Sequence, residues 1–241
     1  MRSRKFLTLT LSLLILVFLV ASPPISAHGY AMAGMGRDEA FEASSFLPVI
    51  FNNYCPDFFD DFSYPASGWP VGDEDDILSE YLNGEYRTLT KNNKYMYTFQ
   101  APTCERANYV VEVDARWEGV PGASYGLIFG ITGNTPAEFY LFHVNTAYME
   151  YELLRFDDGF NIVPRSFSGA INAGTASNHL KVTRDGDQIT LEVNGEVLGT
   201  VTDDKFGGMT GVGILTSPYR GESTSDARYD NFSVVSLPSS R

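Results

Sequence analysis

The 241-residue sequence predicts an all-β fold, a two-sheet antiparallel β-sandwich, and three observations carry that prediction. The stretch HLKVTRDGDQITLEVNGEVLGTV, residues 179–201, reads as three short strands joined by two tight turns. Asp185-Gly186 and Asn194-Gly195 supply the turn dipeptides, because they tolerate positive backbone angles. Between them Ile189, Leu191 and Val193 alternate with Gln188, Thr190, Glu192 and Asn194, so one face is apolar and the other wet. Beyond this double hairpin, short runs of strand composition recur from residue 58 onward. No window of ordinary helix length keeps a 3.6-residue apolar period. Strands with one wet face build antiparallel sheets, and about 180 residues suffice for one large two-sheet core.

The elements follow in chain order. Arg2, Arg4 and Lys5 precede an apolar run at 6–21, and Ile25-Ser26-Ala27 offers a small-residue cleavage site. This is the pattern of a secretory signal peptide over 1–27, too short in its apolar part for a membrane span of roughly 20 residues. The mature chain is therefore expected to be exported and to begin near His28, with no stable membrane insertion after cleavage. Residues 28–56 read as a spacer, with Gly29, Gly34 and Gly36 among small residues and one apolar cluster, Phe46-Leu47-Pro48-Val49-Ile50-Phe51. The domain is expected over 57–236, followed by a short tail at 237–241. Its strands are predicted at 58–62, 84–90, 94–100, 107–117, 124–131, 138–144, 148–155, 160–167, 178–184, 187–193, 196–202, 210–216 and 228–235. Turn chemistry separates them, as at Lys91-Asn92-Asn93, Gly133-Asn134-Thr135-Pro136 and Asp157-Asp158-Gly159. A dozen short strands at this spacing favour one sandwich over separate domains.

In an exported chain two cysteines suggest one disulfide, Cys55 with Cys104. Without Arg2, Arg4 and Lys5 the balance is 14 basic against 30 acidic residues, a net of about −16. Such a surface repels nucleic acid and anionic membrane, so neither is an expected partner. Oligomeric state is not legible in the sequence.

Glu112-Val113-Asp114-Ala115-Arg116-Trp117-Glu118 is the sharpest arrangement with catalytic character. On a strand the period of two puts Glu112, Asp114, Arg116 and Glu118 on one face, with neighbours about 6.6 Å apart. Paired carboxyls at about 5–9.5 Å suit glycoside hydrolysis. An arginine between them would hold both ionised, which is the wrong state for a general acid, so a charge-paired strand face is the favoured reading. The three histidines, His28, His143 and His179, lack metal-ligand spacing, and no nucleophile elbow, phosphate loop or dinucleotide fingerprint is present, so no organic cofactor is expected. The run Gly72-Asp73-Glu74-Asp75-Asp76 reads as a solvated acidic loop. Aromatic residues crowd the strands between 124 and 155. Rings that stack on sugars, with polar groups beside them, would make a glycan site of Tyr125, Tyr140, Phe142, His143, Tyr148 and Arg155. Alternation sends about half of such rings to the core, and the sequence leaves open which parity faces out.

The order of segments FDDFS, GW, NGEY, YVVEVDARW, YGLIFG, FYLFHV, the double hairpin and ARYDNFSVV resembles the concanavalin A-like lectin/glucanase jelly roll. In style it is similar to bacterial exported domains of the laminin-G-like and 3-keto-disaccharide hydrolase type. The resemblance implies a jelly roll over roughly 57–236. It also implies a structural Ca²⁺ held by Asp230 in ARYDNFSVV, with backbone carbonyls at Asp60 and Gly84. Laminarinase-like members carry Glu-x-Asp-x-Glu or the same with one further residue; Arg116 stands at the third position here, and Glu118 comes two residues late. The expected function is an exported, non-catalytic module that binds carbohydrate or a cell-envelope or matrix ligand. A glycoside hydrolase and a structural or adhesive surface domain are the alternatives, since fold does not choose among them.

Overall fold

A computed structural model describes residues 55–92, 95–118, 123–133, 138–157, 160–218 and 224–238. The expected signal peptide, the spacer up to residue 54 and the last residues of the tail lie outside the described residues. Among the described residues there is no helix, and fifteen strands run in order. They are β1 (Phe58–Asp60), β2 (Gly72–Asp73), β3 (Ile77–Leu82), β4 (Glu85–Thr90), β5 (Tyr97–Gln100), β6 (Tyr109–Trp117), β7 (Ser124–Ile131) and β8 (Phe139–Asn145), then β9 (Glu150–Phe156), β10 (Phe160–Phe167), β11 (Asn178–Asp185), β12 (Gln188–Val193), β13 (Glu196–Thr202), β14 (Gly211–Ser217) and β15 (Ser225–Ser236).

They form two antiparallel sheets. The nine-stranded sheet runs β13-β12-β11-β6-β15-β4-β3-β2, with β1 paired to β15, and the six-stranded sheet runs β10-β9-β8-β7-β14-β5. The double hairpin is present as β11-β12-β13. Its second turn is Asn194-Gly195, with φ of 51° and 81°, the conformation that a two-residue turn of this hand requires. In the first turn the loop residues are Gly186-Asp187, because Asp185 still pairs with Gln188. Two strands are additions to the expected set, β2 and β3. Ile77–Leu82 has apolar residues on both parities, so no alternation marks it, yet Asn83-Gly84 closes it onto β4 as a second two-residue hairpin.

The core fills the space between the sheets. β6 buries Val111, Val113, Ala115 and Trp117 on one face and turns Glu112, Asp114 and Arg116 to the other. From the six-stranded sheet, Tyr125, Leu127, Phe129, Tyr140, Phe142, Val144 and Leu153 meet them. At one end Phe62, Trp69, Tyr86 and Phe232 pack with ring centroids 5.0–5.6 Å apart. The buried Asp60 carboxylate fastens this cluster, accepting from Trp69 Nε1 at 2.9 Å, Ser67 Oγ at 2.5 Å and the Phe62 amide at 2.8 Å. Those bonds hold Phe62 at φ 53°, a conformation a phenylalanine adopts only when its surroundings impose it. At the other end the buried Arg184 donates to Thr210 Oγ1 and to the Phe206 carbonyl while lying over the Tyr140 ring. Cys55 and Cys104 form the expected disulfide, with Cα atoms 5.9 Å apart. Beside it the buried Arg106 donates to the Cys104 and Pro56 carbonyls.

Candidate functional site

The outer face of the six-stranded sheet carries the candidate site. Because Tyr140, Phe142 and Val144 of β8 point to the core, the period of two sends Phe139, Leu141, His143 and Asn145 outward. The pairing of β8 with β9 places Glu150, Glu152, Leu154 and Phe156 on that same face. Ser124, Gly126 and Ile128 of β7 and Leu215 of β14 complete it. The face has two halves. One is apolar, a cluster of Ile128, Leu141, Leu215 and Phe139 separate from the main core. The other is polar, built of Ser124, His143, Asn145, Glu150, Glu152 and Arg165 around a small recess with space for about one water.

The polar half is held by specific contacts. His143 Nε2 lies 3.2 Å from Glu152 Oε2. That hydrogen bond holds the Glu152 carboxyl below the usual carboxylate range against the opposing effect of burial, and the charges of His143 and Arg165 add to it. Arg165 stands 3.6 Å from Glu150 and 3.7 Å from Glu152. Asn145 shapes the following turn, its Oδ1 accepting from the Ala147 and Tyr148 amides and its Nδ2 donating to the Ala123 carbonyl. Two atoms at the recess, Ser124 Oγ and His143 Nδ1, are buried with no hydrogen-bond partner. Gly126 pairs with His143 across the strands, and a Cβ there would sit 2.0 Å from the Phe142 carbonyl oxygen, so only glycine permits this approach of β7 to β8.

Exposed rings border this face. Phe167 ends β10 opposite Glu150 and is 66 % exposed, and Tyr148, in the turn before β9, is 51 % exposed. Phe156, half exposed at the other end of β9, stacks on Phe139 with centroids 4.8 Å apart. Glu150 and Phe156 are separated by about 20 Å along the strand.

The sequence-predicted residues distribute unevenly over these features. His143 and Tyr148 stand at the site. Tyr125, Tyr140 and Phe142 are fully buried and face the core, so they are structural rings and not a stacking surface. Burial pushes the Tyr125 and Tyr140 hydroxyls well above the usual phenol range, and they bond Asn178 and Asp203. Arg155 shares the inward parity of Tyr140 and pairs with Asp157 and Asp203, so it joins β9 to the 203 loop instead of facing a ligand. Glu112, Asp114 and Glu118 lie on the outer face of the other sheet and are paired off. His179 sits 2.8 Å from Asp114 and 3.5 Å from Glu112, Arg116 binds Glu118 at 2.6 Å, and Arg116 also reaches Glu85. That is the charge-paired strand face.

For the metal set, Asp230 stands at the bulge of β15, where Asn231 adopts φ 52°. Burial raises the Asp230 carboxyl above the ordinary aspartate range, and Asp114, Glu85 and Asp61 add to the effect. The Asp60 carboxylate is engaged by Trp69, Ser67 and Phe62, while Gly84 forms the β3–β4 turn at φ 80°. Among the described residues no three His, Cys, Asp or Glu side chains are grouped to hold a metal ion. Glu150, Glu152, Arg165 and Phe167 had no place in the expected site. The signal for the two carboxylates was Glu150-Tyr151-Glu152, an alternating pair on a predicted strand.

No family model matches the chain, and no curated protein matches it. Solved structures do. A Bacillus licheniformis beta-glucanase is similar at TM-score 0.57 with 14 % identity, covering 75 % of this chain and 98 % of that one. A prokaryotic beta-1,3-1,4-glucanase (lichenase) from a mouse hindgut metagenome is similar at TM-score 0.55 and 14 % identity, covering 75 % and 99 %. A Bacillus subtilis protein of unknown function with a galectin-like fold is similar at TM-score 0.57 and 13 % identity, covering 74 % and 94 %. Two antiparallel sheets in this order, matched over nearly the whole length of such structures, give the chain the concanavalin A-like lectin and glucanase jelly-roll fold.

Proposed function

We propose that the domain is an exported, non-catalytic carbohydrate-binding module and that the outer face of the six-stranded sheet is its binding surface. The observation that carries this is the exposed Phe167 ring beside the polar row of Glu150, Glu152, His143 and Arg165. Sugars present apolar faces to rings and hydroxyls to carboxylates and guanidinium groups. Exposed rings at both ends of β9 suit an extended chain. The likeness of the fold to two glucanases supports a glycan ligand by analogy. Export is supported by the sequence of residues 1–27 and by the disulfide.

Binding is favoured over catalysis because Glu152 is held ionised, whereas a general acid must carry a proton near the working pH. Affinity electrophoresis against β-glucan, xylan and chitin tests the reading. Wild-type protein is expected to be retarded by at least one of these gels, and Phe167→Ala to lose about tenfold in affinity with an unchanged melting temperature. No retardation in any gel would sink the proposal. A hydrolase reading is favoured by one feature, the two-residue spacing of Glu150 and Glu152, about 6.6 Å along the strand. Turnover that Glu150→Gln abolishes would establish it.

A structural calcium at Asp230 is also proposed. The support is that partial burial, and to a lesser degree the charges of Asp114, Glu85 and Asp61, disfavour the ionised Asp230 carboxylate, an effect that a hard cation would relieve.

A further inference from the structure

We propose that Asn83 is a self-modification site, where the neighbouring Gly84 nitrogen converts the side-chain amide to aspartate and isoaspartate, while the matching residue Asn194 is held intact by its surroundings. The sequence Asn-Gly-Glu occurs at 83–85 and again at 194–196, and each copy closes a two-residue hairpin. The backbones match, with φ of 58° and 80° at Asn83-Gly84 against 51° and 81° at Asn194-Gly195. A Cβ built on either glycine would meet nothing within 4 Å, so neither is confined by a neighbour. Local sequence and turn geometry therefore give the two sites the same intrinsic reactivity. Their side chains separate them. Asn194 Nδ2 donates to the Ala170 carbonyl at 2.7 Å and to Asn178 Oδ1 at 2.8 Å, and its Oδ1 accepts from the His179 amide at 2.8 Å. Asn178 is itself fully buried and donates to the Tyr125 hydroxyl. Rotating the Asn194 amide would break those bonds and leave buried groups unpaired. Asn83 is exposed, and its amide makes no hydrogen bond to any of the described residues.

The chemistry needs only water. Gly84 carries no Cβ to hinder its nitrogen, which gives its proton to a solvent base and attacks Asn83 Cγ. A C–N bond forms, the Cγ–Nδ2 bond breaks, and Nδ2 takes up a proton and leaves as ammonia. Water then opens the cyclic succinimide. Cleavage at Cγ yields aspartate, and cleavage at the backbone carbonyl yields isoaspartate, whose main chain runs through Cβ and Cγ and is one carbon longer. Isoaspartate lengthens a turn that spans two residues, next to the pairs Leu82–Glu85 and Tyr81–Tyr86. Tyr86 is fully buried against Phe62 and Trp69, and the Tyr81 hydroxyl accepts from the Trp69 amide at 3.0 Å. The modification thereby loosens the aromatic end of the core.

Peptide mapping by mass spectrometry, on full-length protein aged in mildly alkaline buffer with and without denaturing guanidinium chloride, tests this. In the folded protein the Asn83 peptide is expected to gain the mass of the amide-to-acid change at least about tenfold faster than the Asn194 peptide, and to separate into aspartate and isoaspartate forms. In guanidinium chloride the two rates are expected to converge. Equal rates in the folded protein, or faster conversion at Asn194, would overturn the proposal. So would an Asn83 amide that survives in the fold while both convert in denaturant, because the turn itself would then protect it. A rate difference that persists in denaturant would assign the selectivity to neighbouring sequence and overturn the role of the Asn194 contacts. The isoaspartate form, isolated by ion exchange, is expected to melt below the unmodified protein, and an unchanged melting temperature would overturn the link to the core.

Discussion

Glu152 and Asp230 are carboxylates displaced in opposite directions by their surroundings, and each displacement has a measurable consequence. The folded pKa of Glu152 lies below its unfolded value, so its stabilising contribution is present above the unfolded value and is lost as pH falls through the folded one. The difference in melting temperature between wild type and Glu152→Gln should accordingly shrink on acidification below about pH 5. Asp230 has the reverse sign, because its raised folded pKa makes the ionised form unfavourable in the fold at neutral pH. In chelator Asp230→Asn should therefore raise the melting temperature near pH 7, a gain that fades as pH falls through the folded pKa. In millimolar calcium wild type should gain a thermal shift that the variant lacks. Absence of any calcium shift in wild type would dispose of the proposed ion. At this scale the sequence was a partial guide. His143 and Tyr148, named in the sequence, stand at the outward face of the six-stranded sheet, whereas Tyr125, Tyr140 and Phe142 were not separable from the core, because parity is decided by which face of β8 meets the other sheet. The meeting of His143 with Glu152 depends on the register of β8 against β9, which local composition does not encode.

Among elements, the strands that carried turn chemistry and clean alternation were legible, β11 to β13 above all. β3 was not, since Ile77, Leu78, Tyr81 and Leu82 spread over both faces and the acidic run before it suggested a loop. The pairing of β7 with β8 depends on Gly126, whose Cβ would lie 2.0 Å from the Phe142 oxygen and 2.7 Å from the His143 Cα. Backbone cannot move aside as a side-chain tip can, so Gly126→Ala should cost about 3 kcal/mol or more and lower the urea midpoint accordingly. A midpoint unchanged from wild type would show that the two strands separate without penalty. Gly213 makes the same demand on β14 against β5, with 2.1 Å to the Phe99 oxygen.

For the whole molecule the fold class, the disulfide and the acid balance were all readable, because each follows from residue counts and repeated local patterns. The candidate surface was not, because it combines residues from β7, β8, β9 and β10. The disulfide closes a separation of 49 residues that contains β1 to β5. Chain entropy alone assigns it about 4 kcal/mol, so Cys104→Ser or reduction should lower the melting temperature by about 8–16 °C for a domain of this size.

The same bond also directs mechanical load. A pull applied to the chain on the N-terminal side of Cys55 passes through sulfur to Cys104 and does not run along the three residues of β1. The strands from Phe58 to Gln100 are thereby shielded, and the first elements to bear tension are Arg106 and β6, at the centre of the nine-stranded sheet. In single-molecule extension the oxidised protein should unravel to a contour length about 160–180 Å shorter than the reduced one, the length of the sequestered 49-residue loop.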